Sequence, residues 1–374
     1  MSERPLGKPK RAAAKTKKSM PSAPRSLKIG EWSAHDQLAW KEAIRPAVRL
    51  QRGGAAAHLA QVSQKDIANR YGLYLDFLQR KGLLDPTARA AELVVLDHVQ
   101  QFVVELEMRV SSVTIWNSIY KLRRAAGFLA PDADFGWLSE IEKDLALIAE
   151  PKDKTDRLVL ADRLLEAGLT LIEEAESFAS TPLRRARGVR NGLMIALLAL
   201  HPLRIKNFAT LRIGQSIQKI GGHWWLIIEF KQTKTFRRDE RRVPEFMTGI
   251  IDRYVEKYRP ILLRNNTQES AFWISSTRGT QFTIKNMGTL ISKITAQTLG
   301  VDVSPHLFRM AAATTAAVYG TSTPHLASGV LGHRDERITE EHYNRARSLH
   351  AAAILADIIE AYKQAAESGR KRAL

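Results

Sequence analysis

The chain has 374 residues, enough for two domains and a sizeable core. Lys and Arg outnumber Asp and Glu by 57 to 39, a net charge of +18, which favours a polyanionic partner; a ribosomal-type or merely basic protein has the same balance. There is no Cys, which excludes disulfides and thiolate metal sites, and no apolar run reaches the ~20 residues needed to span a bilayer.

Residues 1–28 are rich in Lys, Arg, Pro, Ala and Ser, with Glu3 the only acid, so a disordered basic tail is expected. It lacks the apolar segment of a secretory signal, and a soluble, cytoplasmic protein is expected. Such a tail suits a DNA-touching arm and a solvated end equally. From residue 29 to 150 the pattern is helical and amphipathic. Ile67 to Leu78 carries apolar residues at helical spacing, with Arg80-Lys81-Gly82 as a basic last turn and stop. A second segment covers Leu93 to Leu106. A third, basic one begins at Ser112 and runs through Ala126, and Trp137-Leu138 opens a short closing helix. The charged, Pro-containing stretch at residues 151–157 reads as an interdomain linker, which leaves 158–374 as the second domain.

That domain opens with helical sequence. The run Gly192 to Leu200 is apolar on every side, so it must be buried, and it leads into His201-Pro202-Leu203-Arg204. Trp224 to Phe230 has strand composition, and Arg241-Arg242-Val243-Pro244 reads as its returning partner. Lys231 to Glu240 forms the polar tip between them. Ala271 to Ser275 is predicted as a third strand with a turn at Arg278-Gly279, and Asn286 to Leu299 as a helix. The fold class is therefore mainly α, a helical first domain followed by a mixed α+β domain with a small antiparallel sheet.

The chemistry concentrates between Ser304 and Arg347. Ser304-Pro305 is a helix start, and His306 and Arg309, three apart, share a helix face. Gly320 and Pro324 end that helix. Leu331-Gly332-His333 and Tyr343 follow. These types suit phosphoryl transfer. Arg grips phosphate oxygens with a permanently charged planar fork, His carries a proton near neutrality, and a Tyr hydroxyl becomes a nucleophile when cations or a base activate it. Singly, each has an ordinary alternative as a surface or packing residue. After Tyr343, Leu349 to Ala366 is an Ala-rich amphipathic helix.

The sequence HLFR at 306–309, with Leu331-Gly332-His333 and Tyr343, resembles the signature of the tyrosine recombinases, the phage integrase family. Their pattern is Arg, Lys, His-x-x-Arg, Gly-His and Tyr in that order. The resemblance implies the tyrosine-recombinase fold, with a SAM-like helical core-binding domain ahead of the catalytic domain. It implies a site-specific recombinase or integrase, of a mobile element, that cuts and rejoins double-stranded DNA through a 3′-phosphotyrosyl intermediate. It also implies a homo-tetramer on synapsed sites, with or without partner recombinases or DNA-bending proteins.

By position, the resemblance assigns Arg204, Lys234, His306, Arg309, His333 and Tyr343 to catalysis, with Lys231 as the other choice for the hairpin Lys. Thr114, Asn117, Lys121 and Arg124 on the third helix become candidate DNA contacts, as do Lys231 and Arg237; a solvated face is the alternative. No cofactor, metal or ATP is implied. The chain departs from the family pattern in three places. Asn207 stands where many members have an acid, Met310 where many have His, and the interval from His333 to Tyr343 is one residue longer than usual. His342 is a weak substitute nucleophile, and Tyr319 reads as core.

Three rival readings differ in class. A metal hydrolase would use His306, His325, His333 and His342, which lack the usual ligand spacing and accompanying carboxylates. A type IB topoisomerase shares the chemistry without synapsis. A catalytically inactive accessory factor would keep only the fold and DNA binding.

Overall fold

The computed structural model describes residues 24–232, 238–266 and 268–319. The chain divides into two compact units, Met1–Lys152 and Asp153–Leu374, each with its own hydrophobic core. No described helix is long and apolar enough to cross a membrane.

The first unit is helical: α1 (Ala34–Ala43), α2 (Gln61–Lys81), α3 (Ala90–Leu93), α4 (Leu96–Glu107), α5 (Ser112–Leu129) and α6 (Gly136–Leu147). The apolar spacing of α2 puts Ile67, Tyr71, Tyr74, Leu75 and Leu78 on one side, and all are buried. Tyr71 donates to the buried carboxylate of Asp36 on α1 at 2.6 Å, and the Ala90 N–H at the start of α3 donates to its other oxygen at 3.0 Å. One carboxylate thus pins three helices, although burial pushes its pKa up despite these bonds.

Residues 25–28 correct the expected tail. Leu27 is 4% exposed, its N–H donates to Gly72 O at 3.0 Å, and the Trp32 indole donates to its carbonyl at 3.2 Å. The basic composition of residues 1–28 concealed a short apolar strap that belongs to the first core.

The second unit starts earlier than Leu158. Thr155–Arg157 forms a 3₁₀ turn, and the Arg157 Nε donates to Asp302 O at 2.9 Å, so residues expected as linker are already anchored. Then follow α7 (Ala161–Phe178), α8 (Pro182–Leu200) and the short α9 (Ile205–Ala209). Thr181 caps α8 by accepting from the Arg184 N–H at 3.2 Å, and Pro182 occupies its first turn. Helices α7 and α8 approach closely through Gly168 and Gly192; a Cβ on Gly192 would lie 2.5 Å from the Gly168 carbonyl. Every residue of α8 from Gly192 to Ala199 is buried, as its uniform apolarity requires.

The sheet is antiparallel in the order β1 (Ile217–Ile220), β2 (His223–Ile228), β3 (Asp239–Arg242). In register, Leu226 faces Arg241 and Ile228 faces Asp239. Strand β1 has no counterpart among the predicted elements, and β3 takes in Asp239 and Glu240, expected at the hairpin tip. Phe230 leaves the predicted strand for a 3₁₀ turn, Phe230–Gln232.

Helix α10 (Thr248–Arg253) continues through a π-helical turn, Tyr254–Tyr258, into α11 (Arg259–Leu263). The strand expected at 271–275 shrinks to β4 (Ile274–Ser275), paired with β5 (Thr280–Gln281). Phe272 and Trp273 are instead buried in an aromatic cluster with Phe208 and Tyr254, and the Phe272 N–H bonds Leu211 O at 2.8 Å. Helix α12 (Ile284–Leu299) and α13 (Pro305–Tyr319) complete the described unit. Helix α13 buries Leu307, Phe308 and Ala311, and its Thr315 hydroxyl accepts from the Ala161 N–H at 2.9 Å.

Candidate active site

The site starts where α8 stops. Pro202 disfavours helical geometry at the preceding residue, so His201 adopts φ −130° and ψ 85° and the buried helix ends. Residues 202–204 then turn into α9, with Arg204 at its N-cap position. Phe208 fixes α9 from below by packing on Trp273 with ring centroids 5.0 Å apart.

Helix α13 supplies the second guanidinium. Leu307 and Phe308 sink into the core, leaving His306 exposed and Arg309 half-buried on the remaining face. Arg309 Nη1 donates to Pro202 O at 2.6 Å, across 107 residues of sequence. That bond fastens α13 to the turn carrying Arg204.

The third contribution comes from β3. Arg241 grips Asp239 through Nε and Nη2, both at 2.8 Å, and this pair shares its field with Arg309. Burial first, then the positive charges of Arg204 and Arg241, pull the Arg309 guanidinium down to about 10, with Asp239 opposing them. Arg309 stays charged at neutral pH. His201, 9% exposed, feels the same groups: burial, then Arg241, push its imidazole down to about 4, so it is neutral. Its Nε2 is buried with no hydrogen-bond partner among the described residues. An arrangement of this kind favours an incoming anion with several oxygens, because each new bond offsets repulsion already present.

Arg204 and Arg309, expected together, are brought together, and His306 sits one turn before Arg309. Lys234, Arg237, His333 and Tyr343 lie outside the described residues, as does the side chain of Lys231. The same holds for the rival metal ligands His325, His333 and His342. Sequence reasoning missed His201, Asp239 and Arg241. The two strand residues alternate along β3 and so share a face, a signal available once the strand's start was known.

The candidate DNA contacts in the first unit are half-buried, and Thr114, Lys121 and Arg124 are already engaged. Lys121 forms an ion pair with Asp66. Arg124 donates to the Tyr120 hydroxyl at 3.0 Å and lies 5.5 Å from the Phe128 ring centroid. Thr114 shares a hydroxyl bond of 3.0 Å with Ser111, the N-cap of α5, and Asn117 lies one turn further along that helix.

Residues 170–350 match the phage integrase family. The match takes in α8 to α13, and on it the second unit resembles the tyrosine recombinases. Among solved structures it is similar to a XerA recombinase, at 15% identity over 80% of this chain and 94% of that one, with a TM-score of 0.35. It is also similar to a XerH site-specific recombinase bound to a palindromic difH substrate in a post-cleavage complex, at 14% identity over 90% of this chain and all 100% of that one, TM-score 0.48. A search of curated proteins finds no match.

Proposed function

We propose that this chain is a site-specific recombinase or integrase of a mobile element, acting on double-stranded DNA through a covalent phosphotyrosine. Tyr343 Oη attacks the scissile phosphorus, the bond to the 5′ oxygen breaks, and a 3′-phosphotyrosyl link remains. His306 takes the Tyr343 proton and Lys234 gives one to the departing 5′ oxygen. Arg204 and Arg309 hold the non-bridging oxygens, whose charge grows in the transition state, and His333 donates a further bond. The reverse attack by a 5′ hydroxyl of a second site rejoins the strand, so the link conserves the bond energy and ATP is not consumed. Charge stabilisation falls to guanidinia, and the reaction runs without metal. Two chains on each of two sites make the working tetramer.

The observation that carries this reading is the bond from Arg309 to Pro202 O beside Arg204. It brings two cations, far apart in sequence, into one partly buried spot where the charge of Arg204 bears on Arg309.

The test is a nicked suicide substrate cut from the borders of the encoding element, with products resolved on a denaturing gel in chelator. The wild-type chain should form a covalent band that Tyr343→Phe abolishes. Arg204→Ala or Arg309→Ala should slow its formation about 10²–10³-fold, the scale for losing a group that stabilises developing charge. A band persisting in Tyr343→Phe would mean another residue attacks. Binding without a band would point to the accessory-factor reading.

A further inference from the structure

We infer that the loop from Arg45 to Gly54 is a docking finger for duplex DNA, with Leu50 as its apolar tip and Arg49 and Arg52 as its phosphate contacts. This rests on the DNA-recombinase reading and gives it a contact far in sequence from the family's catalytic residues.

Leu50 is 99% exposed and holds φ at 68°, a left-handed conformation that a Leu side chain disfavours. A fully exposed side chain has no packing to compensate for that strain. An outlier kept without any return in folding points to a use outside the fold. Val48, 57% exposed, stands beside it, and the tip is tightened by the bond from the Gln51 N–H to Val48 O at 2.9 Å.

The base of the loop is closed. The Gly54 N–H donates to Arg45 O at 2.9 Å, and the Ala56 N–H donates to Ala43 O at 2.8 Å. A Cβ on Gly54 would sit 2.0 Å from Glu42 O, so only glycine permits the chain to return this tightly. The tip is therefore held out on a fixed stem.

Charge selects the occupant. From Ala43 to Lys65 there is no Asp or Glu, while Arg45, Arg49, Arg52 and Lys65 are all basic. Arg45 pairs with Glu42 at 2.9 Å; among the described residues neither Arg49 nor Arg52 has a carboxylate partner. An apolar tip flanked by free guanidinia matches what a DNA groove offers, phosphates on both rims and base edges or steps between them. A second copy of this chain would have to meet the two cations with acids.

The experiment titrates the full chain against a short fluorescein-labelled duplex of mixed sequence, following anisotropy over a range of NaCl concentrations. Urea unfolding of each variant is measured in parallel. Arg49→Gln with Arg52→Gln should flatten the slope of log K against log salt by about 1.8, at ~0.9 for each phosphate that is no longer neutralised. Leu50→Gly should weaken binding roughly tenfold at an unchanged slope, as removal of an apolar wedge from the groove would. Its urea midpoint should hold or rise, because Gly accepts φ 68° freely. Wild-type affinity and slope in all variants, with the wild-type chain binding, would overturn the inference. So would a Leu50→Gly effect confined to self-association without DNA. Failure of the wild-type chain to bind the duplex would sink the recombinase reading itself, and the finger with it.

Discussion

At the scale of single residues, the described part of the site sets the cations Arg204, Arg241 and Arg309 against the carboxylate of Asp239. Asp239 is the carboxylate that opposes the positive field at both Arg309 and His201. Asp239→Asn should therefore cost stability at neutral pH and free Arg241 from its fork; chemical unfolding against Arg241→Gln in the same background measures the coupling. His201 offers a cleaner reading. Its unfolded imidazole titrates near 6.5 and its folded one at about 4, so between those values the unfolded chain takes a proton that the folded chain refuses. Its contribution is present in full above the unfolded pKa and fades as pH falls toward the folded one, by about 3 kcal/mol in total. Urea unfolding of wild-type and His201→Asn protein at pH 7 and at about pH 4 should show the mutant losing less on acidification by about that amount. The shared helix face of His306 and Arg309 was legible from their spacing, whereas Arg204 was singled out only by the family resemblance. Asp239, Arg241 and His201 were not legible. Their place depends on where a strand starts and how a helix ends, which spacing does not encode.

Among the elements, the α7–α8 pair sets the position of Arg204, since α8 delivers it and Gly192 decides how closely α8 lies on α7. Gly192→Ala should destabilise the second unit by about 1–3 kcal/mol, because the added methyl meets backbone that cannot yield. Gly127 in α5 is the control: nothing lies within 4 Å of its added Cβ, so Gly127→Ala should be neutral or stabilise by up to ~1 kcal/mol. Urea midpoints for the two variants decide the point, and equal losses would refute the packing account. Helices were the legible elements, since the periodicity of α2 and the solid apolarity of α8 leave few alternatives. The sheet was harder. Strand β1 is only Ile217–Ile220, and its one clear signal was Gly221-Gly222, both at positive φ in the turn to β2. Residues 271–275 erred the other way: Phe272 and Trp273 have strand composition, but aromatic packing rather than strand pairing fixes them.

For the whole molecule, the two hydrophobic clusters share no residue, and the division falls between Lys152 and Asp153. Residues 24–152 made alone should fold with a cooperative thermal transition of their own, and calorimetry of the full chain should resolve a matching component. A fragment without a transition would mean its core needs the second unit. The two-domain division was legible because the charged stretch around Pro151 breaks helical periodicity; the strap at Leu27 was not, being a single apolar residue in basic surroundings. The bond from Arg309 to Pro202 has a further consequence on the ribosome. Its two ends emerge 107 residues apart, so at about 5–20 residues per second the carbonyl waits roughly 5–20 s for its guanidinium. A nascent chain meanwhile carries Arg204 and Arg241 but lacks Arg309 and the proposed nucleophile, which is translated later still. On the proposed mechanism, synthesis order alone therefore keeps an unfinished copy from breaking a strand.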